Sequence, residues 1–372
     1  MKMKMKRRQR ESVRDGKGGK DRISDLPDCL LLHIMAFMNT RDAVQTCVLS
    51  KRWKDLWKQL TNLRLHSDDF RTLRIFNKFV SCILSCRDGS ISVHDIDFVH
   101  DGCTSIRLLN RVTKYAASHN IQELTINTEL NLKQDFELPH SILSCRSLTY
   151  LDLSIENNSV RDVKLPKSLE LPALKCLYLT FVTFTTSDNG CAEPFSKCKV
   201  LNTLVIELCS LQNDANLLCI TNSNLSSLTF GTSYAKEESY KVSLCTPKLS
   251  SLTTNGYPVH EISSTCTLPF LEEGNILFNY FDDFPRSGSL LIGWLQVLAN
   301  VKRMRLSSRA LKIINDLSNH GSMRIQPPCF VKMKSLTVEM YSYAHLSNDE
   351  VRKTVECLLQ NSPLAIDGVI NV

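Results

Sequence analysis

Along most of the chain the apolar positions return in one phrase, Leu-x-x-Leu-x-Leu, at a near-constant step. It reads Ile121-Leu124-Ile126, Leu148-Leu151-Leu153, Leu174-Leu177-Leu179, Leu201-Leu204-Ile206 and Leu225-Leu228-Phe230, then more weakly Leu249-Leu252-Thr254. Successive first positions lie 27, 26, 27, 24 and 24 residues apart. Val301-Met304-Leu306 and Met333-Leu336-Val338 continue the series, and an irregular copy around Ile276-Phe278 fills the double step before them. Upstream, Val93-Ile96-Phe98 and Leu60-Leu63-Leu65 extend it. Apolar residues alternating over a few positions predict short strands, each with one face to bury.

A strand of this length cannot hide its leucines without a neighbour stacked on either side, so the repeats predict a curved solenoid. The step falls in the leucine-rich-repeat range of roughly 20–29 residues. One copy, Leu201-x-x-Leu204-x-Ile206-x-x-Cys209-x-Leu211, fills the whole pattern with Cys in the turn. Return segments 70–84, 107–119 and 347–359 have helical spacing, whereas 187–193 and 232–238 read as irregular. Residues between the buried leucines line the concave face. That face runs from acidic and aromatic (Glu123, Tyr150, Asp152, Tyr178) through plain hydroxyls to basic (Arg303, Arg305). Tyr and Arg anchor protein interfaces more often than other side chains. Tyr150, Tyr178, Arg303 and Arg305 are therefore the candidate contacts for a target, the alternative being that each is simply solvated.

Before the repeats the period changes to that of helices. Pro27 suits a first helical turn, with Asp25 as a cap and Asp28 as first-turn negative charge. Thr40 suits the cap of a second helix, and 51–60 predicts a third with Trp53 and Trp57 on one face. The first helix carries Leu30, Leu31, Leu32, Ile34, Met35, Phe37 and Met38 nearly all round. A module of about 40–60 residues hides only part of such a surface, so something outside it must cover the excess.

Leu26-Pro27, Leu30, Ile34, the run Leu49-Ser50-Lys51-Arg52-Trp53 and Trp57 resemble the F-box, in its plant variety. Together with Leu138-Pro139 and Leu171-Pro172-Ala173-Leu174 they make the chain similar to the plant F-box/leucine-rich-repeat family, whose solenoid is ribonuclease-inhibitor-like. The resemblance implies an α/β architecture: a three-helix F-box followed by the curved solenoid. It also implies a non-catalytic substrate-recognition adaptor of a Skp1–cullin–F-box (SCF) ubiquitin ligase. In that reading Leu26, Pro27, Leu30, Leu31, Ile34 and Trp53 meet a Skp1-type adaptor and through it a cullin. The concave face then holds an unknown target protein. The division expected is a basic tail over 1–20, the F-box over 21–66, the solenoid over 67–346 and a capping helix with tail over 347–372. Many members of the family end in a further module, which here looks truncated or degenerate.

Charge changes the picture in one place. The net +7 of the 372 residues lies wholly in residues 1–22, where ten Lys/Arg face three acids, and the rest sums to zero. With little to bury, that segment reads as disordered, and as a nuclear-import or acidic-surface signal. It supports a rival reading, a nucleic-acid-associated or non-degradative scaffold protein using the tail, although nucleic acid is the less expected partner. Fifteen cysteines without a CxxC pair read as reduced, buried small apolar residues. No apolar run suits a membrane span, and nucleus or cytoplasm is the expected location. No cofactor or metal is expected. Gly16 to Lys20 mimics a phosphate loop, but Asp21 stands where Ser or Thr is needed, and His260-Glu261 lacks a second His.

Overall fold

The computed structural model describes residues 23, 25–131, 135–157, 163–187, 190–212, 215–232, 239–256, 259–278, 287–319, 328–340, 347–360, 362–363 and 367–371. The basic tail lies outside the described residues. Twelve strands form one all-parallel sheet in which neighbours in space are neighbours in sequence. The leucine phrase explains the register. Leu63, Ile96, Leu124, Leu151, Leu177, Leu204, Leu228 and Leu252 stand side by side across eight strands and are fully buried. Shifting any strand by one residue would turn its leucines to solvent.

At the ninth strand, Glu273–Leu277, this row reaches Gly274 in place of a leucine. A Cβ there would come within 2.8 Å of Leu298, whose side chain fills the site from the return segment. The irregular copy keeps its register because volume is supplied from elsewhere. The twelfth strand, Asp367–Asn371, pairs with Ser335–Glu339 and sets Gly368 beside Leu336. It replaces the tail expected after the helix Asn348–Gln360, and the missing leucine is why the repeat pattern did not expose it. At the other end, Asn62–His66 is the sheet's first strand, although its sequence was grouped with the helical module.

Step length decides how each repeat returns. Steps of 28–33 residues between strand starts carry helices of 11–14 residues, whereas steps of 22–27 carry a single helical turn or short strands. A helix advances about 1.5 Å per residue and a strand about 3.3 Å, so a short repeat spans the same distance only by extending. Helices α3 (Leu73–Cys86) and α4 (Ile106–Ser118) thus serve the first repeats, capped by the Thr72 and Ser105 hydroxyls. The middle repeats return through two four-stranded parallel sheets, which include Leu217–Thr221 and Lys241–Cys245. The sequence expectation of helices or looser segments missed these strands.

Ahead of the sheet sit α1 (Asp28–Met35) and α2 (Thr40–Gln45). Asn39, not Thr40, caps α2, its side chain accepting from the Asp42 amide at 2.8 Å. Thr40 is buried one position later. The third helix is a chain of tight turns ending in a 3-10 segment, Leu56–Gln59. Trp53, Leu56, Trp57 and Leu60 all turn inward, which the three-residue period of these turns permits. The cysteines depart furthest from expectation: Cys145, Cys198 and Cys209 are buried, while the other twelve are partly or fully exposed.

Candidate functional site

Two surfaces are candidates, and each follows from a local sequence rule. In α1, Leu31 and Met35 point into the core, while Leu30 and Ile34, also one turn apart, lie on the neighbouring stripe. Leu30 is 46% exposed and Ile34 44%, and Phe37, on the same face just past the helix, is 71% exposed. Full burial of such a side chain is worth about 1.5–3 kcal/mol, and covering the exposed part of each would recover roughly half of that or more. Val48 and Leu49, after α2, are still more open than the two α1 residues.

Of the expected adaptor contacts, Pro27, Leu30 and Ile34 are exposed and Leu26 is half-buried against the core. Leu31 and Trp53 are corrected: both are buried among the module's own side chains and present no surface. The helix period forces this, because Leu31 shares the inner stripe with Met35. Phe37, Val48 and Leu49 are further exposed apolar residues that the sequence reading did not single out, and the signal was their place next to recognised motif residues. The motif's Arg52 has a structural task. Its Nε donates to Asp28 Oδ1 at 2.7 Å, and its guanidinium also reaches the Leu26 carbonyl, holding the start of α1.

The second surface is the open face of the long sheet. Tyr150 and Tyr178, on adjacent strands two residues out of register and so on the same face, bring their rings to 5.4 Å between centroids. Asp152 lies beside Tyr178 in register, two residues along the strand from Tyr150 on the same face. Arg303 and Arg305 stand five strands beyond Tyr178, roughly 24 Å away at strand spacing. The structure therefore joins the two tyrosines and leaves the arginines apart. Both arginines are already engaged: Arg303 with Glu273 at 2.7 Å and Arg305 with Glu339 at 3.3 Å. Lys302 likewise meets Glu272 at 2.6 Å.

The aromatic end differs. Asp95 and Asp97 on the second strand, Glu123 on the third, Asp152 on the fourth and Glu207 on the sixth all face outward. Among the described residues, His66, at 2.7 Å from Asp97, is the one basic side chain that pairs with any of them. Burial pushes the Asp95 carboxyl up to about 6, with Asp97 and Glu123 adding to the effect. Burial also raises Asp152, reinforced by Asp97 and Glu207. Burial lifts Tyr150 to about 12, helped by the Asp152 charge. Asp95 and Asp97 escaped sequence reading because their strand's repeat was recognised only by its apolar positions. The alternate positions around Ile96 and Phe98 carried the signal.

Among the described residues no cluster of three or more His, Cys, Asp or Glu is placed to hold a metal, and no helix is long and apolar enough to cross a membrane.

Comparison with known proteins agrees with this division. Residues 23–65 match the F-box domain model, and residues 109–267 match the model of the leucine-rich repeats of the FBD-associated F-box protein At5g56370. The chain is similar to F-box/LRR-repeat protein 13 of Arabidopsis thaliana, 28% identical over 87% of this chain and 72% of that one. The F-box/FBD/LRR-repeat protein At1g78750 of the same plant is 28% identical over the same shares. F-box/LRR-repeat protein At4g14103 is 27% identical over 96% of this chain and 94% of its own length.

Proposed function

Since the chain belongs to the plant F-box/leucine-rich-repeat family, we propose that it is a substrate-recognition adaptor of a Skp1–cullin–F-box ubiquitin ligase in the nucleus or cytoplasm. Its F-box docks on a Skp1-type subunit and so joins a cullin, and the open sheet face holds a target protein. The observation that carries the reading is the apolar stripe Leu30, Ile34 and Phe37, left open on the helical module together with Val48 and Leu49. A stripe of this kind is stable in water only at a cost that a permanent partner removes. The chain itself contributes position, raising the target's effective concentration near the ubiquitin carrier.

Binding of the full-length chain to a purified Skp1-type adaptor tests it. Leu30→Asp with Ile34→Asp is expected to weaken the complex by roughly 100-fold or more, with the circular-dichroism melt unchanged. Tyr150→Ala with Tyr178→Ala is expected to leave it intact. Equal binding by the stripe variant and the wild type would sink the proposal. A target whose level rises in cells carrying the stripe variant separates a degradative adaptor from a scaffold.

A further inference from the structure

The charge ledger of the sheet face is closed at one end and open at the other. Arg303, Arg305 and Lys302 have carboxylate partners on adjacent strands. Asp95, Asp97, Glu123, Asp152 and Glu207 face the same side with Arg64 and His66 as the outward basic residues of the first strand, and among the described residues only His66 comes within 4 Å of one of these carboxylates. The Glu207 side chain lies over Gly231, where a Cβ would fall within 2.6 Å of it. The Tyr150–Tyr178 pair sits among these acids, and an aromatic face attracts a cation directly.

The complementary charge exists in the same chain. Residues 1–22 carry ten Lys/Arg against three acids, and they enter the fold at the helical module. That module rests against the acidic end: Asn39 donates to Asp69 at 3.0 Å just after the first strand, and Arg41 donates to the Asp69 carbonyl. The second to fourth strands lie within roughly 15 Å of the first at strand spacing. Twenty-two residues reach up to about 70 Å, so length sets no obstacle.

We propose that the acidic, tyrosine-bearing end of the open sheet face binds the chain's own basic segment, residues 1–22, in the absence of another occupant. Lysines and arginines of the segment lie along Asp95, Asp97, Glu123 and Asp152, with one side chain over the tyrosine pair. The contact within the chain is independent of the ubiquitin-ligase reading. Its consequence, competition between the segment and a target for one face, rests on that reading.

Carbodiimide coupling of dilute full-length protein tests the contact. The reagent activates a carboxylate, a lysine Nζ attacks it, and an amide forms as the reagent leaves as its urea. Peptide mapping is expected to find Lys2, Lys4, Lys6, Lys17 or Lys20 joined to Asp95, Asp97, Glu123 or Asp152 within one chain. The yield should fall about tenfold at about 1 M salt, where the screening length shrinks to about 3 Å. Coupling only to other carboxylates, or equally between chains, overturns the proposal.

A labelled peptide of residues 1–22 gives an independent measure that keeps the chain full-length. Changing Lys2, Lys4, Lys6, Arg7, Arg8 and Arg10 to Gln should make the protein bind the peptide about fivefold more tightly, because its own segment no longer competes. Adding Asp95→Asn, Glu123→Gln and Asp152→Asn should abolish that binding. Unchanged affinity on neutralising the segment overturns the proposal. So does an arginine–serine peptide that binds the face without any coupling of the chain's own lysines, which would assign the face to an outside cation.

Discussion

The helical module and the open sheet face are both unfinished surfaces, but they are unfinished in different ways. The module leaves Leu30, Ile34, Phe37, Val48 and Leu49 in water, whereas the sheet face leaves Asp95, Asp97, Glu123 and Asp152 with little counter-charge. Apolar exposure has a cost in water that neither protonation nor charge screening relieves. Like-charge crowding is tunable, since protonation and salt both relieve it. The contrast suits a module that keeps one lasting partner and a face that exchanges occupants.

The contrast can be broken most sharply within α1 itself. Leu31→Ala should cost about 2–5 kcal/mol of folding stability, because Leu31 is fully buried. Leu30→Ala, one residue away, should stay within about 0.5 kcal/mol. Chemical denaturation of the two variants measures both, and similar losses would show that the outer stripe is part of the core. Gly256→Ala should follow at about 1–3 kcal/mol. Gly256 holds a positive φ of 85°, and a Cβ there would fall within 1.6 Å of the Thr232 carbonyl oxygen. The same denaturation experiment checks it. A neutral result would mean that the solenoid edge is as forgiving as an exposed helix.

Arg52→Ala should cost about 0.5–1 kcal/mol, as a partly exposed ion pair does. Fraying of the first turn of α1, read by amide hydrogen exchange at Leu30 and Leu31, would localise the loss. A comparable effect concerns the acidic face. The Asp95 carboxyl is raised from 3.8 to about 6, so the folded chain holds a proton that the unfolded chain has released between those values. Stability therefore falls as pH rises through that window. Asp95→Asn should be the more stable protein at pH 7, by about 1 kcal/mol once solvent screening at this partly buried site is allowed for, and the gain should vanish below about pH 4. Melting at the two pH values decides it.

The inner rows of the sheet were legible because buried leucines at fixed steps leave a strand no other register. The strands at Glu273 and Asp367 were less legible, since each puts glycine where the others put a large apolar residue and a side chain from elsewhere supplies the volume in the first case. Among the residues expected to meet an adaptor, the sequence named Leu30 and Ile34 of the outward stripe but could not separate them from the buried Leu31. Leu30 and Leu31 are the same residue type, and only the packing direction of α1 tells them apart. On the sheet face it identified the tyrosines, which the structure joins, and the arginines, which the structure neutralises.

Repeat period, apolar phrase and the tail's surplus charge are properties of residue order, and the sequence by itself determined them. From these follow a parallel solenoid, its step lengths and even which steps are long enough for helices. Tertiary structure decided which charges meet. An ion pair such as Arg303 with Glu273 joins residues thirty positions apart, and whether a carboxylate finds a cation depends on what the next strand sets beside it. Burial is driven by short-range patterns that a linear chain already contains. Charge compensation is a relation between neighbours in space, and those neighbours exist only once the strands are stacked.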